Sequence, residues 1–408
     1  SHHLAAAKTC DGLVDAKVPV AADKIRRLMH YGQIVQSHAL HFFHLCSPDF
    51  LLGFDTDPAI RNIVGVAAAA PDTAVKAIKI RKFGQEVIKA TGGKKIHPTG
   101  AIPGGINAPV KDEDRAHLRE NADEIVDWCV EAVELCLDYY QQNKKLFEDF
   151  ASFDTPYMGS VGPNGELELY DGALRGIDGQ GHMVFDQLPY ANYLDEIAEA
   201  VEEWSYMKFP YFRKLGYPDG CYRVGPLARF NVADSISTEK AGTYFDMFKQ
   251  IADGTPVRGS LWYHFTRLVE MLHGAELCRD YLNDDDIQGD DLVNRGELQD
   301  EAVGIIEAPR GTLIHHYRID GDGLLTMVNL IVATTQNNVG MNRAVQTIAE
   351  AFIHPGEDVT EGILNRIEMG IRCYDPCLSC ATHALGRMPL VVDIRNSRGE
   401  TVSRFVRD

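Results

Sequence analysis

Along the chain, apolar residues recur at helical spacing from residue 20 to residue 50, with Asp23 in the first turn. That period buries one face and predicts a helix. It returns from Ala69 to Thr91, entered at Pro71-Asp72 and stopped at Gly92-Gly93. Asp112 to Phe150 predicts one long amphipathic helix, and Ala191 to Tyr206, Thr238 to Leu282, Met341 to Ala351 and Val359 to Ile371 read as further helices. Thr99 to Val110 is too rich in Pro and Gly for a helix or a central strand, and Lys208 to Val232 is also loop-rich. Beyond a Pro163-Asn164-Gly165 turn, Leu167 and Leu169 alternate with Glu166 and Glu168, and short strands are expected around Met183 to Phe185. Ile305 to Val332 predicts strands about a Gly321-Asp322-Gly323 turn. Leu390 to Ile394 and Thr401 to Val406 predict a hairpin turning at Asn396 to Gly399. The fold class expected is mainly α with minor β (α+β), a long helical bundle core with small β pieces.

Length and charge narrow this further. A chain of 408 residues exceeds one ordinary core. The expected regions are a helical 1–150, a mixed α/β 151–235, a helical 236–383 and a tail 384–408. A net charge of −19 argues against nucleic acid and anionic lipid as partners. No apolar run approaches the roughly 18 residues of a membrane span. Asn283 to Asp300 is an acidic loop; its Asp284-Asp285-Asp286 run lacks the spacing of a calcium loop and reads as solvated surface. Nine cysteines, an odd number thinly spread, argue against a disulfide scaffold and for a reducing cytoplasm. Cys129 and Cys136 fall on an amphipathic helix and are expected in its core.

The candidate chemistry is concentrated in Asp375-Pro376-Cys377-Leu378-Ser379-Cys380-Ala381-Thr382-His383. Two thiolates at C-x-x-C spacing can clamp one soft metal such as nickel, zinc or iron. By spacing alone, a structural zinc half-site or a redox dithiol fits equally. No second C-x-x-C completes a zinc tetrad. His38, His41 and His44 follow one helix face at i, i+3 and i+6, where packing is expected rather than ligation.

That C-terminal motif resembles the one in large subunits of nickel–iron hydrogenases. Ser1-His2-His3-Leu4-Ala5 resembles the stretch directly after the family's N-terminal cysteine motif. Ser37 to Leu45 resembles its histidine-rich helix, Glu307-Ala308-Pro309-Arg310-Gly311 with His315 its arginine segment, and Thr334-Thr335-Gln336-Asn337 its Thr-Thr-Trp-Asn loop. Ile96 to Gly105 and Tyr222 to Arg229 look like the cytoplasmic NAD-reducing, or bidirectional, group. The resemblance runs from the first residue to the last.

The resemblance implies the family's large-subunit fold and reversible heterolysis of dihydrogen at a nickel–iron centre with CO and cyanide on the iron. Cys377 matches a terminal nickel ligand that takes the proton, and Cys380 a bridge between nickel and iron. His383 matches the last residue of the mature subunit, which helps hold a magnesium-type ion. Ala384 to Asp408 would then be a propeptide that a maturation endopeptidase removes after nickel-insertion proteins have acted. Arg310 matches the arginine over the open metal position, with Asp49 and Asp375 as the carboxylates that fix it. His2 matches a histidine bonded to a bridging thiolate. Pro309, Ala333 and Thr334 match the wall around the cyanides, where relatives often have Pro in place of Ala333. The other two cysteine ligands and a proton-relay glutamate lie upstream of Ser1 in the family. Electrons would leave through an iron–sulfur small subunit to a diaphorase carrying FMN and NAD. The chain shows no Gly-x-Gly-x-x-Gly fingerprint of its own. Alternatives are an F420-reducing or heterodisulfide-linked hydrogenase, a zinc-stabilised interaction protein, and a non-catalytic subunit related to respiratory complex I. Retention of Cys377, Cys380 and His383 argues against the last.

Overall fold

The computed structural model describes residues 1–205, 207–377 and 390–407. Helix α1 (His2–Leu13) leads into α2 (Val20–Leu40). The helix expected to residue 50 changes pitch over His41–Cys46, a π-helical turn, and resumes as α3 (Ser47–Leu52). The extra residue in such a turn rotates everything after it by about 100°. His38 and His41 are buried, while His44, inside the turn, is only half-buried. α4 (Ile63–Ala69) and α5 (Pro71–Gly92) come next, the latter closed by Gly93 in the left-handed conformation at φ 82°. Thr99 to Val110 forms no long element, but it holds a two-residue ladder of β1 (Ala101–Ile102) and β2 (Gly105–Ile106). The long helix ends early. α6 (Asp112–Gln142) stops at Asn143, whose side chain donates back to Tyr139 O at 2.9 Å, and α7 (Lys144–Asp149) completes the stretch.

β3 (Tyr157–Val161), β4 (Ala173–Ile177) and β5 (Met183–Leu188) make an antiparallel sheet in that order. The helix expected over Ala191 to Tyr206 does not form. α8 covers only Tyr193–Glu196, and Ile197–Val201 is strand β6, paired with β7 (Lys208–Phe212). Alanine and glutamate favour a helix by only tenths of a kcal/mol each, roughly, and tertiary pairing outweighs that. Ile197 lies opposite Phe212 with both fully buried, and Glu199 meets Lys208 and Asn329 at 3.3 Å each. Tyr206 lies outside the described residues.

The second half restores the helices: α9 (Pro226–Val232), α10 (Glu239–Ala252) and α11 (Trp262–Asn283). A three-stranded sheet comes after them, order β10-β9-β8, from β8 (Glu301–Ala308), β9 (Gly311–Ile319) and β10 (Leu325–Ile331). α12 (Ala333–Gln336), α13 (Asn338–Phe352) and α14 (Glu361–Arg372) lead to the C-terminal motif. β11 (Leu390–Arg395) and β12 (Thr401–Arg407) form the expected hairpin.

The bundle packs α2 between α5 and α11, with α6 on α11. α11 is buried on nearly every face, from Trp262 to Glu276. The larger apolar cluster runs through Leu4, Ile34, Val126, Leu268 and Tyr374, with Cys129 and Cys136 inside it, so the first three regions share one core. A smaller cluster, including Met158, Phe212 and Ile314, lies between the sheets. Among the described residues no helix is long and apolar enough to cross a membrane.

α2 and α5 touch through glycines. A Cβ on Gly84 would come within 2.6 Å of Gly32 O and 2.7 Å of Gln36 N, both rigid backbone. Gly84→Ala is expected to force these helices apart and cost about 1–3 kcal/mol, as overpacking does. The urea unfolding midpoint measures it, and an unchanged midpoint would contradict the packing described.

Candidate active site

Glu307 to Gly311 is a hairpin turn. Ala308 pairs with Gly311 across β8 and β9, leaving Pro309 and Arg310 as its two-residue tip. Gly311 sits at φ 137°, and a Cβ there would meet Val224 Cγ2 at 2.2 Å, so only glycine lets the turn seat against Tyr222-Arg223-Val224. Arg310 then reaches Asp375: Nε donates to its backbone O at 2.7 Å and Nη2 to Oδ1 at 3.1 Å. Asp375 follows α14 with φ 52°, a left-handed conformation that aspartate tolerates.

Behind the tip lies a buried ionic frame. Arg229 Nε and Nη2 donate to the two oxygens of Glu270 at 2.6 and 2.7 Å, and Nη1 donates to Glu307 Oε2 at 2.8 Å and to Ala308 O at 3.0 Å. The Ser160 N–H and hydroxyl and the Thr312 hydroxyl serve the other Glu307 oxygen, and His38 Nε2 meets Glu270 at 3.0 Å. Burial pushes the Glu270 carboxyl up, but the Arg229 ion pair and hydrogen bonds outweigh it and hold it at about 2. Burial, only partly offset by Glu270, drops His38 to about 4, so this imidazole is neutral and donates. The sequence pattern gave no role to Glu270, and none of their own to Glu307 and Arg229. A signal existed: Arg267, Glu270, His273 and Glu276 sit in a helix with no polar face.

A cavity of about 320 Å³ opens at the hairpin tip. His2, Pro309, Arg310, Ala333, Thr334 and Cys377 all line it, and the Ile96-His97-Pro98 segment closes one side. Thr334 Oγ1 accepts from the Cys377 N–H at 3.2 Å. α12 is tied down by Tyr222, which donates to Gln336 Oε1 at 2.9 Å, and by the Val224 N–H, which donates to Asn337 Oδ1 at 2.9 Å. His2 Nδ1 is 3.0 Å from His315 Nε2, and His315 Nδ1 is 2.6 Å from the Tyr317 hydroxyl.

One expected placement differs, and two fall outside the described residues. Asp49 does not join Asp375 on Arg310. It accepts from Asn365 Nδ2 at 2.9 Å and pairs with Arg372 at 3.2 Å and Arg61 at 3.7 Å. Its position after the π-helical turn gives it a rotated phase, toward α14 rather than the hairpin tip. Cys380 and His383 lie outside the described residues, as does the cleavage point between His383 and Ala384.

The cavity suits a compact metal group. Among the described residues it presents one sulfur donor, Cys377, beside an apolar wall of Ala308, Leu313 and Val332 and a guanidinium. Asp375 Oδ2 is buried with no hydrogen-bond partner among the described residues. The model of the nickel-dependent hydrogenase family matches residues 1–61 and 168–383, which include His2, Pro309, Arg310, Ala333, Thr334 and Cys377 but not the Ile96-His97-Pro98 segment. The chain belongs to that family. It is similar to the NAD-reducing hydrogenase HoxS subunit beta of Cupriavidus necator, 43% identical over 100% of this chain and 86% of the relative. An F420-non-reducing hydrogenase chain of Methanothermobacter marburgensis is 42% identical over 99% of this chain and 86% of its own length. A crystal structure of a NAD+-reducing NiFe hydrogenase in its dihydrogen-reduced state superposes with a TM-score of 0.91 at 49% identity, covering 94% of this chain and 85% of that one. A NiFeSe hydrogenase from Desulfovibrio vulgaris Hildenborough shares the fold, with a TM-score of 0.72 at 23% identity, covering 94% and 86%. As a nickel–iron hydrogenase large subunit, the chain is an oxidoreductase acting on hydrogen, with the large-subunit fold expected. The zinc-protein and complex I alternatives find no support in these likenesses.

The buried frame, with His273, is expected to make the folded chain acid-sensitive. Burial lowers His38 and His273 from 6.5 to about 4, so between those values the unfolded chain binds protons that the folded chain refuses. Stability is expected to be full above roughly pH 7 and to fall as the pH drops through 6.5 toward 4. Glu270, at about 2 against an ordinary 4.5, adds a further loss below 4.5. Urea midpoints at a series of pH values check this, and His38→Gln should flatten the slope between pH 6.5 and 5. An equal slope in both proteins would contradict it.

Proposed function

We propose that this chain catalyses the reversible heterolysis of dihydrogen as the large subunit of a NAD-linked nickel–iron hydrogenase. The observation that carries this reading is the single cavity gathering Cys377, Arg310, Pro309, Ala333, Thr334 and His2 in a chain of this family. Cys377 and Cys380 would hold the nickel–iron group, whose iron would carry CO and cyanide, and His383 would help hold a magnesium-type ion. When bound, the metal pair supplies an electrophilic site that polarises dihydrogen.

The protein's own groups do the rest. Cys377 Sγ would take the proton, since a bound metal would keep it a thiolate. Asp375 holds the always-charged Arg310 guanidinium against the cavity, where it positions the incoming molecule. The apolar wall restricts water, and Pro309, Ala333 and Thr334, which line the cavity, would face the iron's small ligands. His2 would hydrogen-bond a bridging thiolate, with His315 fixing its ring. Electrons would pass to an iron–sulfur small subunit, then to a diaphorase holding FMN and NAD, in the cytoplasm. A maturation endopeptidase and nickel-insertion proteins would process the tail.

A second acceptor is favoured by one finding: several relatives near 42% identity are F420-non-reducing hydrogenases. A heterodisulfide-linked assembly would use the same large-subunit chemistry with different partners. The test is the nickel and iron content of the full-length gene product made with its maturation system, followed by dihydrogen-dependent reduction of NAD and of a heterodisulfide. About one nickel and one iron per chain beyond the partner clusters, with NAD reduced, supports the proposal. A chain without nickel, whatever other metal it holds, overturns it. Cys377→Ser should abolish both nickel binding and turnover. Arg310→Lys should retain nickel yet lower turnover by about 10² or more, because the ammonium cannot reproduce the fork held by Asp375. Unchanged turnover would remove Arg310 from the mechanism.

A further inference from the structure

A second group of metal-type donors is buried beside Asp375, outside the lining of the cavity. His41 opens the π-helical turn and Cys46 closes it. In an α-helix, residues five apart point about 140° away from each other, whereas a π-helical turn brings them round. Cys46 Sγ accordingly lies 3.4 Å from His41 Nε2 and 3.8 Å from Nδ1. His264 of α11 stacks on His41, with ring centroids 5.8 Å apart and planes at 16°. One donor atom from each of His41, Cys46 and His264 lies within 4.8 Å of the others, and all three residues are buried. Cys373, after α14, adds a fully buried sulfur 3.5 Å from His264 Nε2.

We propose that His41, Cys46, His264 and Cys373 form a zinc-type site of two thiolates and two imidazoles. With zinc–sulfur near 2.3 Å and zinc–nitrogen near 2.0 Å, neighbouring donors of a tetrahedron stand roughly 3.3–3.8 Å apart. The Cys46 Sγ–His41 Nδ1 distance of 3.8 Å and the Cys373 Sγ–His264 Nε2 distance of 3.5 Å fall in that range. His41 is already turned for the role. Its Nε2–H donates to Arg372 O at 2.7 Å, which leaves the Nδ1 lone pair for a cation, the arrangement that metal-bound histidines adopt. Ligation by His264 Nε2 moves its proton to Nδ1. Arg267 Nη1, 3.4 Å from that nitrogen, then keeps Tyr263 O at 3.2 Å as its acceptor. Phe42 and Phe50 wall the group off from water.

The charges nearby suit two thiolates. Arg267 Nε and Arg372 Nε are buried without hydrogen-bond partners among the described residues. Burial pushes the Cys46 and Cys373 thiols up, and these two guanidiniums pull against it. A bound dication supplies what the guanidiniums do not. Each zinc taken up releases two thiol protons and forms two zinc–sulfur bonds. The site would cross-link the π-helical turn, α11 and the segment two residues before Asp375, and so fix the carboxylate that holds Arg310.

The test is elemental analysis of the nickel-loaded holoenzyme after washing with a chelator, for wild type and for Cys46→Ser with Cys373→Ser. The expected result is about one more zinc per chain in wild type than in the variant, with nickel and iron unchanged. Zinc-edge X-ray absorption on the wild-type holoenzyme gives a second readout that needs no variant, and a shell of two sulfurs and two nitrogens is expected. Absence of zinc from the wild type, equal zinc in both proteins, or a shell without sulfur would overturn the site and leave a hydrogen-bonded core cluster. Nickel and iron are counted separately, so this outcome does not depend on the hydrogenase reading.

Discussion

The guanidinium of Arg229 is fully buried and holds Glu270 and Glu307 at 2.6 to 2.8 Å. Removing one partner from such a cluster would strand a charge in a low-dielectric core, at a cost of about 3–5 kcal/mol. The cluster therefore tolerates one arrangement. It joins α2 through His38, α9 through Arg229, α11 through Glu270 and β8 through Glu307. Glu307 is three residues from Arg310 in the same hairpin. The frame sets where that hairpin starts, Gly311 against Val224 sets how it turns, and Asp375 takes the side chain at its tip. Helix packing, sheet register and the position of the charged group over the cavity are thus one problem with one solution.

The same frame explains why the chemistry can sit in a loop-built cavity. Pro309 and Arg310, the start of α12 and Cys377 are all connecting segments. Loops hold sub-ångström geometry only when their backbone groups are tied down. Here Thr334 receives the Cys377 N–H, and Asn337 and Gln336 bind back to Val224 and Tyr222. The polar residues of the Thr-Thr-Gln-Asn loop act as fasteners for backbone as well as cavity wall.

Much of this was legible in the residues. Periodicity located the principal helices, and Gly92-Gly93, Gly321-Asp322-Gly323 and Asn396 to Gly399 marked real ends and turns. The motif residues His2, Pro309, Arg310, Ala333, Thr334 and Cys377 meet at one cavity as their resemblance implied. The rest stayed hidden for a physical cause in each case. A single extra residue in the π-helical turn leaves the apolar period almost unchanged, yet it rotates Asp49 toward Arg372 and Asn365. The Ala-Glu run at Ile197 to Val201 carries a helical preference, and only the distant partner Phe212 makes it a strand. The donor group of His41, Cys46, His264 and Cys373 comes from three separate stretches of chain, so no spacing announces it.

On this account the cavity itself splits dihydrogen, with acceptor choice left to other subunits. Isotope exchange between deuterium gas and water isolates that step, because it needs no electron acceptor. The nickel-loaded large subunit with its iron–sulfur partner, lacking any diaphorase and any NAD, should catalyse exchange, and Cys377→Ser should abolish it. Full nickel and iron occupancy without exchange would contradict the account.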